Sequence, residues 1–178
     1  MYVTIFLMNA LILGGNNSYH EVWIRDVRDE LRKMDAGDGA EFKPVFDDVR
    51  VHDYDSWKDG SETDVGYELE QLRDSKADIV VAKSIGSVIA TIGIANGDIK
   101  ADHCIFLGLP LDVINQQFAD FGHSLERLPN VEFIQNEFDP LGSAVDLRRY
   151  LEASQPREFE MMVVEGNDTH GYLDFELI

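Results

Sequence analysis

The sequence predicts an α/β fold: a six-stranded, mostly parallel sheet in the order 2-1-3-4-5-6, with helices on both faces. Two observations carry the prediction. Strand-like and helix-like segments alternate along the whole of the 178 residues, which is how a chain encodes strand, crossover helix and next parallel strand. One helix-like run, 85–96, is apolar almost all round, so it belongs deep in the fold. With 44% hydrophobic residues the chain can bury one sizeable core. No repeat, low-complexity tract or Pro/Ser-rich linker divides it, and a single domain over 1–178 is expected.

The first strand is expected near 9–14. The apolar start "MYVTIFLMNALILGG" is too short to cross a bilayer, and it lacks the basic residues and small-residue cleavage site of a leader. It exceeds the usual strand length of about five or six residues, and Met8 opens a shorter version, so residues 1–7 are expected to be a peripheral extension or to come from an upstream start codon. The first helix opens at "SYHE", where Ser18 and Glu21 have capping-box spacing. Tyr19, Val22, Trp23, Val27 and Leu31 make its apolar face. A strand near 46–51 follows, then a helix near 63–74 that buries Val65, Leu69 and Leu72. The third strand, near 78–82, leads into the apolar helix from Ile85 to Asn96, which Gly97 closes. Strands near 103–108 and 131–135 bracket the least regular stretch, Pro110 to Pro129, expected as a short helix and a loop over the sheet edge. Ser143 opens a last helix with Leu147, Tyr150 and Leu151 inward, and a strand near 159–164 completes the sheet.

The formal charge of −19 repels nucleic-acid backbones and anionic membranes at long range, so neither is expected as a partner. Phosphate-rich substrates are disfavoured less firmly, because a local site can oppose the global field. Few lysines beside many aspartates fit a salt-loving host, but an ordinary acidic surface is the plainer reading. Cys104 is the only cysteine, which rules out an internal disulfide and favours a reduced, cytoplasmic setting with the thiol packed in the core.

Chemistry concentrates at "AKSIGS", residues 82–87, between the apolar runs "DIVV" and "VIATIGIA". Ser84 is flanked at two residues either side by Ala82 and Gly86, a relaxed G-x-S-x-G turn. A strand that turns at once into a helix brings the helix backbone against the strand, so bulk at either flank collides. The serine itself is expected to be strained by about 1–3 kcal/mol, a cost typically met where function uses it.

A hydroxyl nucleophile needs a base, and the base needs an orienting acid. Asp139 in "FIQNEFDPLGS" follows the fifth strand, and His170 in "EGNDTHGY" follows the last, giving the order Ser, Asp, His. Both sit at the carboxyl edge of the sheet, where open α/β folds bind ligands. Asp139 before Pro140 also suits a plain turn, and Glu137, Asp112 and Asp168 stand as substitutes for the acid. His20, His52, His103 and His123 occupy poorer places for a base: a first helical turn, a strand and irregular segments. Acyl transfer also needs oxyanion donors, each worth about 3 kcal/mol. One is the amide of Ile85, at a helix N-terminus. The other is expected from "GGNNS" after the first strand, where Gly15 lets the backbone approach and Asn16 offers its amide. In the order 2-1-3-4-5-6 this loop meets Ser84 at the switch point.

These residues resemble a minimal α/β-hydrolase, similar to the small, lidless serine hydrolases that keep only the last six strands of that fold. The resemblance runs from "ALILGG" to "THGY" and rests most on "AKSIGS", "FDPLGS" and "GNDTHGY". It implies a catalytic triad of Ser84, Asp139 and His170, with the oxyanion held by the amides of Ile85 and Asn16. Two departures stand out: Ala82 and Lys83 replace the first glycine and the usual histidine of the serine turn, and Gly14 replaces the histidine of a His-Gly oxyanion loop.

The expectation is therefore a cytoplasmic serine hydrolase acting on a small acyl substrate, a carboxylic ester, thioester or amide, with no metal or organic cofactor. The loops "HDYDSWKDGSETDVG" and "LPLDVINQQFADFGHSLERLP" are the expected cleft walls, with Trp57, Leu111 and Phe118 serving equally well as substrate contacts or packing residues. Sequence assigns neither the substrate-binding residues nor the oligomeric state. The rival class is a flavodoxin-like or degenerate hydrolase domain that binds a partner protein without turnover. A phosphate-binding version is weakened because "GGNNS" lacks basic side chains and no G-x-x-x-x-G-K-[ST] loop occurs.

Overall fold

A computed structural model describes residues 6–33 and 44–173. In chain order it holds β1 (Phe6–Leu13), α1 (Tyr19–Lys33), β2 (Pro44–His52), α2 (Ser56–Asp59), α3 (Val65–Gln71), β3 (Ser75–Lys76), β4 (Ile79–Lys83) and α4 (Ile85–Asn96). Then come β5 (Ile99–Lys100), β6 (His103–Leu107), α5 (Leu111–Gln117), α6 (Phe121–Leu125), β7 (Asn130–Asn136), α7 (Ala144–Ser154) and β8 (Phe159–Val164). Six strands form one parallel sheet in the order β2-β1-β4-β6-β7-β8, which is 2-1-3-4-5-6 among its members, as the alternation predicts. The two-residue strands β3 and β5 pair separately.

Because successive strand side chains point to opposite faces, β4 divides its apolar run between two cores. Val80 and Ala82 join Leu11, Leu13, Phe106 and Phe133 beneath α4, α6 and α7. Ile79 and Val81 join Ala10, Ile12, Ile105 and Leu107 against Trp23, Ile24, Val27 and Leu31 of α1. Helix α4 lies inside the first core with Val88, Ile89 and Ala90 fully buried, and Gly97 at φ 85° ends it. That placement explains why its sequence shows no polar face. No helix among the described residues is long and apolar enough to cross a membrane.

Several local expectations are corrected. Strand β1 begins at Phe6 because β2 extends to meet it, pairing Phe6 with Pro44 and Leu7 with Val45, so two residues of the expected peripheral extension are strand. Residues 1–5 of that expectation lie outside the described residues. Glu21 does not complete a capping box: its carboxylate pairs with Arg25, and Asn17 Oδ1 accepts from the Tyr19 amide instead. Tyr19 and Val22 are exposed while Ile24 is buried, since the sheet meets α1 along the stripe through positions 20, 24, 27 and 31. Leu72, which caps α3, is buried as expected, but Val65 and Leu69 within α3 are only partly so, and Glu68 is buried instead. The stretch 110–129 forms two short helices, α5 and α6, where one was expected.

Candidate active site

Ser84 is the one residue between β4 and α4, and its backbone sits at φ 55°, ψ −125°, a region L-residues rarely adopt. Three hydrogen bonds hold the turn there. The Ser84 amide donates to Leu107 O (3.0 Å), the Ser87 amide to Ser84 O (2.9 Å), and the Ser87 hydroxyl to Ala82 O (3.1 Å). The small flanks are a steric requirement. Ala82 is fully buried, and a β-carbon on Gly86 would lie 2.5 Å from Gly14 O and 2.8 Å from Leu13 O. The start of α4 therefore abuts the end of β1, and the loop carrying Gly15 and Asn16 lies beside the serine turn.

His170, in the loop after β8, sets Nε2 2.9 Å from Ser84 Oγ. Its Nδ1 lies 3.0 and 2.8 Å from Oδ1 and Oδ2 of Asp139, in the turn after β7. An ionised carboxylate only accepts, so Nδ1 carries the proton and Nε2 is left to accept from the serine hydroxyl. Asp139 is 3% exposed, and a charge buried to that degree must be met by donors. Besides His170, the Leu141 amide reaches Oδ1 (2.9 Å) and the Tyr172 hydroxyl reaches Oδ2 (2.7 Å). The three sequence candidates are thus brought together, with Ile85 as the first residue of α4.

Of the other acids and histidines weighed from the sequence, all but His20 lie elsewhere. Glu137 binds the Gly166 amide (2.7 Å), and Asp112 and Asp168 are exposed. His52 pairs with buried Glu68 (2.7 Å), His123 with Glu126 (3.1 Å), and His103 opens β6 at the opposite sheet edge. Of the expected cleft contacts, Leu111 is core and abuts Gly142, Phe118 is packed against the same core, and Trp57 borders the loop after β1.

Four residues that the sequence did not single out shape the site. Asn136 Nδ2 donates to Thr169 O (2.8 Å) and Gly171 O (3.0 Å), gripping the backbone on both sides of His170. Tyr172 accepts from the Asn136 amide (2.9 Å) and meets the His170 ring edge-on at 5.9 Å. Gly108, at φ 62°, leaves room for both: a β-carbon there would collide with the Tyr172 ring and lie 3.0 Å from His170 Cε1. The spacing His170-Gly171-Tyr172 was the available signal, but a tyrosine two residues on reads as packing until the fold brings its hydroxyl to Asp139.

The fourth is His20. Its ring fills the space that a side chain on Gly15 would need, and its Nδ1 is buried with no hydrogen-bond partner among the described residues. Burial, then the charge of Lys83, then His170 lower its pKa to about 4. Lys83 is itself buried, with Nζ 5.4 Å from the Trp23 ring centre and 5.8 Å from that of Tyr172. Desolvation brings its pKa down to about 8, against the pull of Asp139.

No family model matches the chain, and no curated protein matches it in sequence. Solved structures do match by fold. An uncharacterized protein from Bacillus cereus superposes with a TM-score of 0.64 at 16% identity over 95% of this chain, which spans 56% of that protein's length. An esterase from the archaeon Pyrobaculum calidifontis gives 0.61 at 13% identity, covering 98% of this chain and 71% of that one. A carboxylesterase of the ammonia-oxidizing thaumarchaeon Nitrososphaera gargenis gives 0.59 at 14% identity, covering 91% and 82%. The likeness is one of architecture, and the architecture is the α/β-hydrolase fold.

Proposed function

We propose that this chain, built on the α/β-hydrolase fold, is a serine hydrolase that cleaves small carboxylic esters, thioesters or amides through an acyl-enzyme on Ser84. The observation that carries the reading is the hydrogen-bonded line from Ser84 Oγ to His170 Nε2 (2.9 Å) and from His170 Nδ1 to Asp139 (2.8 Å). His170 takes the hydroxyl proton as Oγ attacks the acyl carbon, and it returns that proton to the leaving group as the tetrahedral intermediate collapses. Water then attacks the acyl-enzyme with His170 again as base, releasing the acid and restoring the serine. Asp139 holds the imidazole in the required tautomer and stabilises its cation.

The oxyanion is met by the amides of Ile85 and Asn16. Ile85 opens a twelve-residue helix, so its N–H sits at the positive end of the helix dipole. The cycle calls on the chain's own side chains and backbone amides, and on water. Structural neighbours, among them the Pyrobaculum calidifontis esterase and the Nitrososphaera gargenis carboxylesterase, support ester chemistry in this architecture. A reducing, cytoplasmic setting fits the free, buried Cys104 thiol. A domain kept for partner binding alone gains nothing from a serine held in a strained conformation.

The test is covalent. A fluorophosphonate probe labels the native protein, mass mapping finds the adduct on Ser84, and the Ser84→Ala variant stays unlabelled. Labelling that survives the substitution, or never appears in folded protein, returns the domain to the non-catalytic class.

A further inference from the structure

The loop after β1 is held from outside by its oxygen atoms. The Tyr54 hydroxyl donates to Gly14 O (3.1 Å), the Trp57 indole Nε1–H to Gly15 O (3.0 Å), and the Thr63 amide to Asn16 Oδ1 (2.8 Å). All three donors come from the segment that follows β2. In a planar trans peptide, the carbonyl of one residue and the amide of the next point in opposite directions, and there is no cis bond among the described residues. The indole grip on Gly15 O therefore fixes the direction of the Asn16 N–H. In the sheet β2 lies on one side of β1 and β4, which carries Ser84, on the other. With Gly15 O held by the indole, the Asn16 amide is turned away from Trp57, in a loop that lies against the start of α4, where a β-carbon on Gly86 would meet Gly14 O.

We propose that Trp57 is a positioning residue for the oxyanion hole, locking the Gly15–Asn16 peptide so that the Asn16 amide faces the oxygen that gains charge. The inference rests on the serine-hydrolase reading and gives a job to the acidic segment 52–64. With two glycines before Asn16, the loop has unusual backbone freedom, and a flipped peptide would aim a carbonyl oxygen at the oxyanion in place of a donor. Trp57 is braced against this. Its ring packs on Tyr54 at 4.9 Å, Tyr54 takes His52 edge-on at 5.3 Å, and His52 is pinned by buried Glu68 at 2.7 Å. The Ser56 and Thr63 hydroxyls close the base of the segment at 3.0 Å. Support for the hole thus comes from the segment that follows β2, while Gly14 leaves the loop without a side chain of its own.

The experiment compares wild type with Trp57→Phe, which keeps an aromatic ring and removes the donor. On an activated short-chain ester, kcat should fall about 10- to 100-fold, somewhat less than deleting an oxyanion donor outright, with KM changed less than about threefold. Affinity for an alkyl boronic acid, whose serine adduct is a tetrahedral anion, should fall by a similar factor. If Trp57→Phe does not fold, benzothienylalanine at position 57 keeps the indole shape without the N–H and reads the same quantity. A kcat within twofold of wild type overturns the inference, as does a rise in KM alone, which would make Trp57 a wall of the substrate cleft. Failure of the underlying reading is distinguishable, because it appears as wild-type protein that takes no label at Ser84.

Discussion

The Tyr172 hydroxyl donates to Asp139 at 2.7 Å, and the oxygen it chooses, Oδ2, is the one that lies nearer His170 Nδ1. Burial, together with the neighbouring Asp139 charge, pushes the phenol far above its ordinary pKa, so Tyr172 is a permanent donor. The same hydroxyl accepts from the buried Asn136 amide, and the Trp23 indole holds the Tyr172 carbonyl at 2.7 Å. One side chain therefore joins the acid, the histidine loop and α1.

Tyr172→Phe strands one buried amide and takes one donor from a buried carboxylate. Stability should drop by about 1–3 kcal/mol, read from urea denaturation, and kcat/KM by about tenfold as Asp139 and His170 lose their mutual register. An unchanged denaturation midpoint would show that solvent replaces the phenol at no cost.

Gly108→Ala should separate activity from folding. The added carbon meets the Tyr172 ring and crowds His170, and the φ of 62° already disfavours a side chain. We expect a loss of about 1–2 kcal/mol from backbone strain and a larger loss of activity, about 100-fold for a displacement near 1 Å. Comparable fractional losses of activity and folded population would refute the separation.

Ser84→Gly should be more stable than wild type. Glycine adopts φ 55°, ψ −125° without the side-chain clash, and the relief of about 1–3 kcal/mol exceeds the unfolded-state penalty of glycine, about 0.5–1 kcal/mol. Ser84→Ala keeps the β-carbon and gains nothing comparable. Calorimetry of the two variants side by side decides it; equal melting temperatures would mean the turn is unstrained.

The His20 prediction concerns acid. A histidine whose pKa falls from 6.5 to about 4 on folding binds its proton more readily in the unfolded chain. Its contribution is complete above pH 6.5 and is lost as pH falls towards 4, with a slope of at most about 1.4 kcal/mol per pH unit. His20→Gln should flatten that part of the stability profile relative to wild type. Parallel profiles for the two proteins between pH 6.5 and 4 would remove His20 from the acid response.

The sheet order and the places of Ser84, Asp139 and His170 were legible because they are written locally, in apolar runs and in turn residues just beyond them. Tyr172, Asn136 and Gly108 were not, because their roles exist only once β6, β7 and the last loop are side by side. The apolar face of α1 was misjudged at Tyr19 and Val22 for a related reason. Two stripes share Trp23, Val27 and Leu31, and only the position of the sheet selects the one through Ile24. Glu68 reads as a surface residue of α3 until His52 arrives from β2 to pair with it.

Cys104, wholly enclosed in β6 with its thiol pushed up to about 12, makes the molecule its own reporter. Alkylating agents act on thiolates, so the native chain should be inert to them, and each modified molecule will be one whose central sheet had opened. Pulse alkylation would then count excursions from the folded state with no engineered probe. Thiol-directed compounds, for the same reason, could be tolerated in any assay of the serine.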